Sequence, residues 1–201
     1  VERFTFDVPE LEEGISFVPV LWVNYVFKKN DTILPNMPFN AYEFCEEIIN
    51  EFKLKNYSIE KTLIGDHYDL VEKKVKVHED RFKRKSLTSI SIICHEIGHA
   101  IQHAQNYSPL ISRTKLVKNT QWINKLSMAI IYIGFPLIFA TGFLPLIKIC
   151  ALIILLSTLI GVIIHLITLE VELDASFNRA FPIIKKKIPE VYHNSCRSVL
   201  R

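Results

Sequence analysis

Between Lys125 and Glu170 the chain carries one formally charged residue, Lys148, and almost everything else is apolar. That lysine, with Pro145 close before it, divides the run into residues 126–147 and 149–169, each with the roughly 20 residues needed to cross a hydrocarbon core as a helix. Two such segments joined by a short turn predict a helical hairpin through a bilayer, which puts both flanks on the same side. Arg113, Lys115, Lys118 and Lys125 precede the hairpin and Arg179, Lys185, Lys186 and Lys187 follow it, so the positive-inside rule places both flanks in the cytoplasm. The expected location is the plasma (inner) membrane. The run 15–27, ISFVPVLWVNYVF, is too short and too interrupted by Pro19 and Asn24 to span, and reads as an interfacial or core segment.

Outside these runs the pattern is that of a water-facing domain. Residues 36–54 alternate apolar and polar positions at helical spacing, with Asn40 and Glu43 placed as a capping box. YSIEKTLIG and DLVEKKVKVHE flank the polar segment DHYD (66–69), and the period-2 character around Val71, Val75 and Val77 predicts a short β-hairpin with DHYD as its turn. Residues 86–109 read as one helix, with Ser86 or Thr88 near its start and Pro109 beyond its end. The fold class is therefore mainly α with a small β-hairpin and a two-helix transmembrane hairpin, in a single domain over 1–201.

Composition refines this picture. Apolar residues make up 49% of 201 and mean hydropathy is +0.21, high for a soluble protein and concentrated in the hairpin. A net charge of +3 makes no bulk electrostatic case for nucleic acid, and the cluster RFKRK (81–85) reads as a solvated loop beside a membrane. Cys45, Cys94, Cys150 and Cys196 lack metal or disulfide-framework spacing, which points to buried thiols. The first residues, VERFTFDVPELEE, have no basic start followed by an apolar run, so no signal peptide is expected there.

The chemistry is concentrated in IICHEIGHAIQH (92–103). Residues four apart on a helix share a face, so His95 and His99 can present two imidazoles to one Zn²⁺, with Glu96 beside them to take a proton from water. His103 drifts off that face. The longer metalloprotease pattern fails, because Gln102 and Gln105 occupy its glycine and third-histidine positions. A catalytic zinc needs a third protein ligand, and TLEVELDASFNRA (168–180) offers Glu170, Glu172 and Asp174 where the second apolar run ends. At roughly 100° per residue, Glu170 and Asp174 share one helix face and Glu172 has the other, which leaves the choice open. His165 within the second run is either functional or hydrogen-bonded to the neighbouring helix.

The combination PFNAYEF, DHYD, RKSLTSISIICHEIGHAIQHAQNYSPL, two adjacent apolar runs and VELDAS resembles the YugP-like family of neutral zinc metallopeptidases, from about Pro38 to Ala180. The resemblance implies an HExxH zincin-like helical domain holding one Zn²⁺, with His95, His99 and Glu172 as metal ligands and Glu96 as the catalytic base. It also implies a peptide or protein substrate and a lipid bilayer as partners. Two departures stand out: a clear N-terminal span is missing, and FNRA after Ser176 makes that segment one residue longer than is usual. A more distant resemblance to prenyl-protein-processing and heat-shock membrane proteases, with their E-x-x-x-D pattern, would favour Glu170 with Asp174. The segment Val71 to Val77 is a candidate for holding substrate by strand addition, and His67 or Tyr68 for an oxyanion donor. The rival reading is a catalytically inactive membrane adaptor with a structural zinc.

Overall fold

The computed structural model describes residues 17–142 and 145–201. The stretch read for a signal peptide, the start of the 15–27 run and two turn residues of the first apolar segment lie outside the described residues.

Helix α1 (Phe17–Asn30) is mostly exposed, with Trp22 and Tyr25 turned outward and Val26 buried. It is anchored where Thr88 Oγ1 donates to Phe27 O at 2.9 Å. Helix α2 (Ala41–Glu51) starts at the predicted capping box: Asn40 N donates to Glu43 Oε2 at 2.8 Å and Glu43 N to Asn40 Oδ1 at 3.0 Å. Its buried face is Ala41, Phe44, Cys45, Ile48 and Ile49, the stripe that 3.6-residue periodicity predicts.

The sheet differs from the expected hairpin. Strands β1 (Ser58–Thr62), β2 (His67–Asp69) and β3 (Lys74–His78) form three strands in the order β1-β3-β2. β1 pairs with β3 in parallel and β2 pairs with β3 antiparallel. Most of DHYD is thus strand β2, and the turn lies over Leu70–Lys73. The physical reason is local. Asp69 Oδ1 accepts from both Val71 N and Glu72 N at 2.9 Å, and Lys73 takes a left-handed φ of 56°, so the aspartate closes the turn after itself. Val71 is 92% exposed in that turn, whereas Val75 and Val77 are buried. Because β3 is paired on both edges, it has no free edge for strand addition, which corrects the role expected of the Val71 to Val77 segment.

After the short α3 (Glu79–Phe82), Ser86 caps the central helix α4 (Leu87–Ala104) by accepting from Ser89 N at 3.2 Å. Thirteen of its 18 residues are buried, which explains why its sequence shows little polar face. It ends earlier than predicted, at a left-handed Asn106, and Pro109 sits in the first turn of α5 (Ser108–Ala129) rather than trailing α4. Helix α5 continues through a π-helical stretch (Ile130–Gly134) into α6 (Phe135–Thr141) and stops at Gly142, whose φ of 71° only glycine adopts readily. Helix α7 (Leu146–Leu173) returns antiparallel, joined to α5 by Arg113 Nε donating to Thr168 Oγ1 at 2.9 Å and Ser157 Oγ to Asn124 Oδ1 at 3.1 Å.

By length and composition, the helices over Ser108–Thr141 and Leu146–Lys187 can each cross a membrane. The apolar side chains of α7 point outward, Leu152, Leu155, Leu159 and Leu166 among them. Its helix runs on through a π-helical segment (Asp174–Ala180) into α8 (Phe181–Lys187), and α9 (His193–Val199) closes the chain against α4. The core gathers Phe44, Ile48, Val75, Val77, Ile90, Ile93, Ile97 and Ile184 around α4. Cys45, Cys94 and Cys196 lie buried in it as free thiols.

What fixes α7 against α4 is Gly98. A Cβ built there would lie 2.6 Å from Ala175 O and 3.2 Å from Ala175 Cα, so only a hydrogen fits between the two backbones. Gly98→Ala is expected to cost about 1–3 kcal/mol, because backbone atoms must move to make room. Gly65→Ala, where nothing lies within 4 Å, should stay within about 0.5 kcal/mol. Thermal denaturation of the two detergent-solubilised variants compares them directly.

Candidate metal centre

His95, Glu96 and His99 occupy the middle of α4, and Glu172 the last turn of α7. The Gly98–Ala175 approach brings these elements together across more than seventy residues of sequence. His99 Nε2 lies 3.2 Å from His95 Nε2 and 3.2 Å from Glu172 Oε2, and His95 Nε2 lies 3.1 Å from the same carboxylate oxygen. Among the described residues these three form the metal-competent group of His, Cys, Asp and Glu side chains.

The second nitrogen of each imidazole is also held. His95 Nδ1 is 3.0 Å from Ser176 Oγ, and His99 Nδ1 is 2.9 Å from Gln102 Oε1. The fully buried Gln102 reveals the protonation of His99. Its amide Nε2 donates to Val171 O and to Asp174 Oδ2, both at 2.8 Å, so its Oε1 faces the histidine as an acceptor. His99 Nδ1 must then carry the proton, leaving a lone pair on Nε2. Asp174 is braced in turn, accepting from Arg179 Nε at 2.6 Å and from Asn178 Nδ2 at 3.0 Å. Arg179 also donates to Gln105 Oε1 at 2.6 Å.

This donor set suits zinc. Two imidazole nitrogens and a carboxylate oxygen are common zinc ligands, and a tetrahedral site with bonds of about 2.0–2.1 Å has edges of about 3.3 Å, close to the three separations found. Lone pairs at such distances repel unless a cation or a shared proton lies between them. Side-chain exposure of 22% for His95, 12% for His99 and 40% for Glu172 leaves the cluster open on one side. Without a metal, burial would raise the Glu172 pKa, yet hydrogen bonds from His95 and His99 hold it below the usual carboxylate range. Burial opposes the charged form of His99 too, but the Glu172 bond and the nearby Glu96 carboxylate raise its pKa. Glu96 is buried and makes no hydrogen bond to another described residue.

Of the three acids near the end of α7, the structure brings Glu172 to the histidines. Glu170 turns to Tyr107, whose hydroxyl lies 3.4 Å away, while Asp174 serves Gln102 and Arg179. The face argument was incomplete, because the wider π-helical turns starting at Asp174 end the 100° spacing. They give the longer stretch through FNRA a place, and they leave both Glu172 and Ser176 pointing at α4. His103 stands apart, with its Nδ1 2.7 Å from the Tyr68 hydroxyl and its pKa lowered by burial and by Lys73. Tyr68 is therefore engaged with His103, and His67 Nδ1 is 3.0 Å from Gly65 O. His165 is exposed and makes no hydrogen bond to another described residue, so the expected bond to the neighbouring helix is not formed.

Sequence reasoning missed Gln102, Ser176 and the bracing role of Asp174. A signal existed: Gln102 follows His99 by three on an apolar helix, and Ser176 follows Glu172 by four, so each shares a face with a donor. Gln102→Leu is expected to weaken zinc binding about 10–100-fold, because His99 loses the partner that sets its tautomer. Titration of the purified variant against a chromogenic chelator measures this.

Comparison with known proteins agrees with this reading. Residues 12–201 match the family described as "Putative neutral zinc metallopeptidase". The chain is 29% identical over 183 residues to the Bacillus subtilis (strain 168) protein named "Putative membrane protease YugP", covering 85% of this chain and 73% of that one. No solved structure matches. With a match that runs almost from end to end, this chain belongs to that neutral zinc metallopeptidase family.

Proposed function

We propose that the protein is a membrane-anchored zinc endopeptidase in which His95, His99 and Glu172 hold the metal and Glu96 is the general base. The observation that carries this is the convergence of three donor atoms, from two helices distant in sequence, beside an acid that no other side chain engages. Zinc bound there supplies Lewis acidity, lowering the pKa of a water toward neutrality and polarising a peptide carbonyl.

The protein's own groups divide the remaining work. Ser176 and Gln102 orient the two imidazoles, so their Nε2 atoms converge without rearrangement. Glu96 takes a proton from the attacking water on its carboxylate and passes it to the departing amine nitrogen. The open side of the cluster admits an extended peptide.

A structural zinc site fills all four positions with protein ligands. Here the candidates for a fourth ligand are otherwise engaged, His103 with Tyr68 and Asp174 with Gln102 and Arg179, which favours the enzyme over the inactive adaptor. In the proposed arrangement residues 1–201 form one domain. The apolar helices of the hairpin are inserted between the HExxH helix and Glu172 and cross the bilayer. Basic flanks place the active site in the cytoplasm, on the inner face of the plasma membrane.

Glu96→Gln is expected to keep one zinc per chain and lower turnover of a casein-type substrate by about 10²–10⁴-fold. Equal turnover by variant and parent would remove Glu96 from the mechanism. Elemental analysis tests the ligand set: Glu172→Ala should purify with much less zinc, and Glu170→Ala with a full complement. The reverse order would transfer the role to Glu170.

A further inference from the structure

Helix α7 is unbroken from Leu146 to Leu173, so one rigid rod links its apolar length to the Glu172 carboxylate. A hydrocarbon core of about 30 Å takes up about 20 residues at 1.5 Å each. Counted from the hairpin turn at Pro145, the core then ends near Leu166, and Glu172 stands about 9 Å beyond it.

Two further observations agree on that height. Arg113, among the basic residues of α5, bonds Thr168 and so marks the headgroup level only one helical turn before Glu172. In addition, Leu166, Leu169 and Leu173 remain 63%, 55% and 47% exposed, so the outward apolar stripe of α7 continues past the level of Glu172 itself. Apolar side chains at that spacing are stable facing lipid and costly facing water.

We infer that the substrates are membrane-embedded polypeptides, cut within a few residues of the point where their own apolar segment leaves the bilayer. This rests on the peptidase and membrane readings above and adds a height to them. An extended chain covers at most about 3.3–3.6 Å per residue, so a bond three to six residues outside the core lies level with the His95–His99–Glu172 cluster. Longer tethers reach the cluster less often, since effective concentration falls roughly as the −3/2 power of tether length.

The test uses the full chain in liposomes with zinc. One fluorogenic casein-derived cleavage cassette is fused to a transmembrane anchor with its scissile bond 4 or 20 residues from the anchor, and is also supplied free. Cleavage about tenfold faster at 4 than at 20 residues, and slower still for the free cassette, is the expected result. Cleavage at 20 residues but not at 4 places the site far above the bilayer and overturns the inference. Equal rates for all three also overturn it, while leaving the peptidase reading in place. No cleavage of any cassette overturns both.

A second measurement is independent of activity. A nitroxide at Glu170→Cys, in a Cys150→Ser background, should relax faster with a nickel chelate attached to lipid headgroups than with the same chelate free in solution. Preference for the free chelate would overturn the inference whatever the cleavage rates.

Discussion

The structure depends on the approach of two helix backbones where Gly98 of α4 faces Ala175 of the π-helical segment. At 2.6 Å from a built Cβ to Ala175 O there is room for no side chain, so the axes pass closer than ordinary side-chain packing allows. Everything in the metal centre lies within a turn of this crossing. His95 and His99 flank Gly98 on one helix, and Glu172 and Ser176 flank Ala175 on the other. A helix pair packed through larger side chains would hold the same four groups too far apart to share one ion.

Close approach solves the distance but not the orientation, which falls to a buried polar chain. Gln102 is the hinge of that chain, because its amide has two different ends and both are engaged. The donors on one end are satisfied by Val171 O and Asp174, which leaves only the acceptor for His99. A side chain that is 0% exposed and fully hydrogen-bonded avoids the penalty of buried polar atoms, and it passes the resulting order to the imidazole. Arg179 and Asn178 hold Asp174 in the same way, so the histidine tautomer is set by residues that never touch the donor cluster.

The long hairpin leaves the domain directly after α4 and re-enters it at the metal centre. The chain departs at Asn106 and Tyr107, runs out through α5 and returns along α7 to deliver Glu172. The length of the excursion matters little, because α5 and α7 are paired side by side and the return point is determined by their antiparallel contact. Polar bonds at Arg113–Thr168 and Asn124–Ser157 hold that pairing in register.

The amino-acid sequence by itself determined the amphipathic α2 with its cap, the apolar helices, and the His95–Glu96–His99 ladder. Each of these follows from residues close together, whose periodicity or capping chemistry acts over one or two turns. It misplaced the sheet, because period-2 alternation does not reveal that Asp69 prefers to close the turn after itself or that β1 would reach β3 in parallel. Glu170, Glu172 and Asp174 look equivalent as a string, and helical geometry could only sort them into two faces. Which face meets α4 was decided by the close contact at Gly98 and by the wider turns that begin at Asp174, and both belong to the packed fold. The same is true of Gln102 and Ser176, whose partners lie about seventy to eighty residues away and exist only once the helices are packed.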